Sequence, residues 1–199
     1  MASNINKHRK RKLARNKLPL TLVGIGLLLI GIVSAAMILT NQDAAGSSAT
    51  GSNEYSVTPS QVNFSAPELI LNDLNGNPVS LTGYQGKVVL VNNWATWCPP
   101  CKAEMPTLQA YYDLHTAQGF ELLAIDAGDP IPDVTEFVTN YQLTFPVLLD
   151  PQNLALRAFQ NDSLPSSYVI DPHGVVRLAW TGPISLEMLE KYVTPLLEE

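Results

Sequence analysis

Cysteine is almost absent: the 199 residues hold two, Cys98 and Cys101. Two cysteines cannot staple a small domain through several bridges, and they supply only half of a structural zinc site. Histidine does not make up the shortfall, because His8, His115 and His173 are scattered. Charge is missing over a long reach, with no Asp, Glu, Lys or Arg from Leu18 to Gln42. Acids are missing from residues 1–17, which carry seven of the twelve Lys and Arg. The rest of the chain therefore sets five bases against all eighteen acids. That balance argues against a nucleic-acid partner for the body of the chain.

The charge gap is informative. Leu20 to Leu39 is nearly all apolar, about the twenty residues that a membrane-spanning helix needs. The basic flank, Lys7 to Lys17, is expected to stay cytoplasmic, which sends everything after the helix out of the cytoplasm. A cleaved signal peptide is the rival, with Ser34-Ala35-Ala36 as its small-residue site. Its apolar core would run only about 7–15 residues, shorter than this one. The expected organisation is a basic cytoplasmic tail (1–17), a single transmembrane anchor (18–40), a flexible linker (41–61) and one domain (62–199). The linker is Ser, Gly, Ala, Thr and Asn with almost no large apolar residue. An exported domain lies where disulfides form and need management.

Within the domain one stretch dominates, Val88 to Pro106. Val88-Val89-Leu90-Val91 is a short, bulky run that reads as a central strand. Pro99 and Pro100 lack N–H groups and fix φ near the helical value, which suits a first helical turn. Met105, Leu108, Tyr112 and His115 then follow at helical spacing. Cys98 thus falls where a strand ends and a helix begins. The positive end of a helix favours a thiolate, and the thiolate is the nucleophile in disulfide exchange. Cys98 is expected to be the exposed, attacking sulfur, and Cys101, one turn on, the sulfur that resolves a mixed disulfide. A sulfur at the N-cap takes hydrogen bonds from amides two and three residues on. Pro100 has no amide, so only Cys101 N–H remains. That weakens thiolate stabilisation and predicts a reductant.

Trp94-Ala95-Thr96-Trp97-Cys98-Pro99-Pro100-Cys101-Lys102-Ala103-Glu104-Met105-Pro106 resembles the active site of the TlpA/ResA-like, membrane-anchored thiol-disulfide oxidoreductases of the thioredoxin superfamily. The resemblance continues through Thr144 to Asp150 and Leu164 to Asp171, and spans about residues 62–199. It implies an α/β thioredoxin-like fold with an N-terminal β-hairpin. It implies a cis bond at Leu164-Pro165 beside the cysteines, and a substrate surface drawn from Trp97, Pro99, Pro100, Leu164 and Pro165. Glu104 matches an acid that the family keeps near the cysteines; with Cys98 and Cys101 it completes the expected catalytic set, as a proton relay for Cys101. No metal and no cofactor beyond the Cys98–Cys101 redox pair is expected. The implied partners are exported proteins with thiols or disulfides, among them the haem-binding cysteines of apocytochrome c, and a membrane electron donor.

The chain departs from this pattern in places. Asn92 stands where thioredoxins carry a buried Asp, and it cannot accept a proton. Asn93 replaces a common aromatic residue, and Ser166-Ser167 is also unusual. The elements expected in order are a strand from Phe64 to Leu71, a turn at Asn75-Gly76, and strands at Val88–Val91 and Phe120–Asp126. A helix at Asp133–Tyr141, an extended run at Phe145–Leu149 and a short helix at Asn153–Phe159 follow. A hairpin at Ser167–Trp180 around Asp171-Pro172-His173-Gly174 and a final helix at Ser185–Leu197 complete the domain. Trp94, Tyr168 and Trp180 read as core, His115 as packed and His173 as a turn residue. Other readings of Cys-x-x-Cys remain: a thiol oxidant, or a metal-binding chaperone that would retain metal stoichiometrically. A peroxidase would need Thr-x-x-Cys, whereas Thr96 lies only two residues before Cys98.

Overall fold

The computed structural model describes residues 56–198. The expected basic tail, the transmembrane anchor and most of the linker lie outside the described residues. Among the described residues no helix is long and apolar enough to cross a membrane.

The central strand is β4, Val88–Trp94, in which all seven residues are buried. Alternation sends its side chains to opposite faces. Val88, Leu90 and Trp94 enter one apolar cluster, and Val89 and Val91 the other. β5 (Phe120–Asp126) runs parallel to β4, and β6 (Val147–Leu149) runs parallel to β5. β7 (Ser166–Ile170) pairs antiparallel on the other flank of β4, and β8 (Val175–Thr181) antiparallel to β7. With β1 (Ser60–Ser65), β2 (Ile70–Asp73) and β3 (Pro78–Ser80) the sheet has eight strands in the order β1-β8-β7-β4-β5-β6-β2-β3.

Helices cover both faces. α1 (Pro99–His115), α2 (Ile131–Asn140) and α4 (Leu186–Tyr192) supply Met105, Leu108, Val134, Phe137 and Leu189 to the cluster that holds Trp94. α3 (Leu154–Ala158) packs Ala155 on the opposite cluster. The buried Asp150 carboxylate accepts the Leu154 and Ala155 amides at 2.8 Å each and so starts α3. Ser185 caps α4 as expected, accepting from Met188 N at 3.3 Å.

Four expectations change. The strand expected over Phe64–Leu71 is two strands, because Ala66-Pro67-Glu68-Leu69 intervenes and Pro67 cannot donate to a ladder. β1 begins inside the stretch read as linker: its polar residues face solvent, and only backbone pairing with β8 marks it as a strand. Ser56 and Val57 also dock, Ser56 Oγ accepting from Ser185 N at 3.0 Å and Val57 N donating to Pro183 O at 3.2 Å. The last helix stops at Tyr192, and a 3-10 turn at Thr194–Leu197 follows, since Pro195 lacks the amide that would continue it. On α1 the side buried at the third position is Tyr111, not Tyr112, whose hydroxyl reaches out to Glu121 at 3.3 Å. The β2–β3 hairpin forms around Asn75-Gly76, where Gly76 adopts φ of 83°.

Trp94 is fully buried and lies 4.7 Å from the Phe137 ring, centroid to centroid. Trp94→Ala should lower unfolding stability by about 3–5 kcal/mol, read from urea denaturation; a loss under about 1 kcal/mol would contradict this core assignment.

Candidate active site

β4 ends at Trp94 and α1 starts at Pro99, so Cys98 occupies the N-cap with extended backbone (φ −83°, ψ 109°). Pro99 and Pro100 fill the first helical positions and are exposed. Cys98 Sγ accepts one hydrogen bond, from Cys101 N at 3.3 Å. Cys98 and Cys101 are joined in a disulfide. The expectation of an exposed Cys98 is corrected: Cys98 is 3% exposed and Cys101 0%. The loop and first turn draw both sulfurs into the apolar cluster beneath them, and what accessibility remains belongs to Cys98.

Trp97 next to it is 66% exposed, an unusual position for so large an apolar side chain. It lines an open groove of about 640 Å³ with Ala127, Leu156, Arg157 and Leu164. Leu164 also packs against the cluster that contains both cysteines. The Leu164–Pro165 peptide bond is cis. Pro165 is buried, and its carbonyl accepts from Gly182 N at 2.9 Å. Trp97 and Leu164 therefore meet around one groove, with Pro99 and Pro100 at the start of α1.

Glu104 lies on α1 one turn beyond Cys101 and is 2% exposed. Its Oε1 accepts from Asn92 Nδ2 at 2.8 Å and its Oε2 from Ile184 N at 3.0 Å. Burial disfavours the ionised form and outweighs both hydrogen bonds, so its pKa is pushed up to about 8. Glu104 is thus an acid poised to gain or lose a proton near neutrality.

The AhpC/TSA family matches residues 62–179. The thiol-disulfide oxidoreductase ResA of Geobacillus kaustophilus is 38% identical over 132 residues, 66% of this chain and 76% of the relative. The ResA of Bacillus subtilis is 36% identical over 128 residues, 64% of this chain and 72% of the relative. Among solved structures, a thioredoxin-family thiol:disulfide interchange protein from Chlorobium tepidum superimposes with a TM-score of 0.62 at 28% identity, covering 69% of this chain and 99% of that one. The chain belongs to the AhpC/TSA family and is a ResA-like thiol-disulfide oxidoreductase.

In this ResA-like enzyme the departures noted in the sequence pair with one another. Asn92 lies opposite Ser167 and Asn93 opposite Ser166 across β4 and β7. Asn92 Nδ2 donates to Ser167 Oγ at 2.9 Å as well as to Glu104, and Asn93 Nδ2 donates to Ser166 Oγ at 3.2 Å. Asn92, at the strand position where thioredoxins carry an acid, here holds one. Two further contacts escaped the sequence reading. Ile184 N, eighty positions from Glu104, comes from the turn before α4. Asp129 Oδ2 accepts from Thr96 N at 2.6 Å. No spacing rule joins residues so far apart. His115 is packed as expected, its ring between Gln118 and Glu190 at 3.2 Å each, and His173 is exposed in its turn. Among the described residues no group of three or more His, Cys, Asp or Glu could hold a metal ion.

The raised pKa of Glu104 fixes a sign. Below about pH 4.5 Glu104 is protonated in both the folded and unfolded chain. As pH rises toward about 8 the unfolded chain releases that proton while the native fold keeps it, so this group's contribution to stability falls across the window. Urea midpoints at a series of pH values should show this decline flattened in Glu104→Gln. An unchanged slope would rule out a buried, neutral Glu104.

Proposed function

We propose that this oxidoreductase is a reductant of disulfides in exported proteins. Cys98 Sγ, as thiolate, attacks one sulfur of the substrate disulfide, and the other substrate sulfur leaves as a thiol. Cys101, after losing its proton, attacks Cys98 Sγ, which releases the second substrate thiol and leaves the Cys98–Cys101 disulfide. Two electrons pass to the substrate, and a membrane electron donor restores the dithiol. Glu104, in its ionised form, takes the Cys101 proton in this scheme and passes it to solvent. The observation that carries the direction of flow is the single amide on Cys98 Sγ. A thiolate held by one donor is stabilised little, and a dithiol stabilised little is readily oxidised, so it gives up its electrons.

Substrate recognition follows from the groove. An extended segment passes beside Trp97 and along Leu164, whose backbone makes no hydrogen bond among the described residues. Strand addition needs such free groups. The apolar, charge-free reach from Leu18 to Gln42 supports an anchor that keeps the domain on the outer face of the cell membrane. Apocytochrome c, whose haem-binding cysteines must be reduced before attachment, is the substrate class proposed.

The test is the midpoint potential of the Cys98/Cys101 pair in the full chain, followed by Trp97 fluorescence against a thiol buffer. A value near or below about −270 mV supports the reductant. A value near about −120 mV would overturn it in favour of a disulfide donor. In parallel, Cys101→Ser should accumulate a mixed disulfide with a peptide carrying two cysteines, and Cys98→Ser should not. The reverse pattern would exchange the two roles.

A further inference from the structure

A pair of carboxyls, distinct from Glu104, lies under the nucleophile loop. Asp126 closes β5 opposite Trp94 and is fully buried. Its Oδ1 accepts from Gly128 N at 3.1 Å and Asp129 N at 2.8 Å, and so folds the chain back over residues 126–129. Gly128 takes φ of 96° in that turn, a value few other residues tolerate. The reversal delivers the Asp129 carboxylate to Thr96 N at 2.6 Å, a short charge-assisted contact two residues before Cys98. Ala127 N meanwhile donates to Trp94 O at 2.9 Å. The loop that carries Trp97 and Cys98 is thus held from one side by the turn after β5.

The other Asp126 oxygen, Oδ2, is buried without a donor. An ionised oxygen in that state is costly, whereas a protonated one can donate to the neighbouring carboxylate. We propose that Asp126 and Asp129 are a proton-sharing pair that positions the nucleophile: neutral Asp126 donates to Asp129, and Asp129 clamps Thr96 N–H. Loss of the shared proton sets two anions side by side and releases the loop bearing Trp97 and Cys98.

The surroundings favour this state. Burial is the main cause that pushes the Asp126 pKa up to about 7, with Asp129 adding to it. Across the neighbouring strands lie Trp94 and Leu149, neither of which ionises. Asp150 spends its carboxylate on the α3 amides, Glu104 on α1 is held by Asn92 and Ile184, and Asp133 on α2 is exposed. In the reduced enzyme the Cys98 thiolate, at the cap of α1, adds a negative charge to the loop that Asp129 holds. Arg157 shares the groove with Ala127 and Trp97, but among the described residues no cation is a cause of the Asp126 shift.

Asp126→Asn keeps a donor that no pH removes, so it mimics the neutral acid. Rates of disulfide exchange with a small model disulfide, measured on the full reduced chain, separate the cases. The ratio of Asp126→Asn to wild type should be near one at about pH 5.5 and rise to about three- to tenfold at about pH 8.5, the size of one hydrogen bond. Because the ratio cancels the growth of thiolate with pH, a merely structural role would shift it evenly. A ratio constant across pH would overturn the proposal. Asp129→Ala should be slower than wild type at about pH 5.5 and show no rise relative to Asp126→Asn. A wild-type rate there would also overturn it. If the variants do not fold, the Asp126 carboxyl carbon resonance of the wild type decides: titration near pH 7 supports the pair, and titration in the ordinary carboxylate range removes it.

Discussion

A strand buried on both faces fixes where the loop carrying the nucleophile leaves the sheet, and most of the site depends on that constraint. β4 is paired along both edges and packed above and below. It fixes the takeoff of the Trp94–Cys98 loop and hence the cap of α1. The same strand brings Asn92 under α1 to hold Glu104, and the strand beside it brings Asp126 under the loop. Rigidity of this kind is what a thiol pair needs if its reactivity is to be set by a few fixed amides and carboxyls.

The side-chain N–H groups of the two asparagines inside the sheet are handled by pairing. Asn92 with Ser167 and Asn93 with Ser166 form two rungs across β4 and β7. A neutral amide under Glu104 accommodates a carboxyl at lower cost than a second acid would, since two buried carboxylates repel. The enzyme gives its acids separate partners: Glu104 is held by Asn92 and Ile184, Asp126 by the Gly128 and Asp129 amides, and Asp129 by Thr96.

Much of the fold was legible in the chain. The alternating bulk of Val88–Val91, the prolines at 99 and 100, the Asn75-Gly76 turn and the Ser185 cap each act over a few residues, so local chemistry suffices to place them. Misreadings came where backbone rather than side chains decides. β1 is polar and exposed, and only its pairing with β8 makes it a strand. Tyr111 and Tyr112 are adjacent on one helix, and which of them turns inward depends on Phe120, 4.9 Å from the Tyr111 ring.

The sequence by itself determined the redox pair, its place at a strand–helix junction and the one amide left to Cys98, because proline's missing N–H is a covalent fact. Tertiary structure alone decided that Cys98 is nearly covered, that Glu104 is buried and held by Asn92 and Ile184, and that Asp129 reaches Thr96. Those outcomes depend on contacts between residues distant in the chain. Burial and hydrogen-bond partners, which set the state of every acid near the cysteines, exist only once the sheet has brought them together.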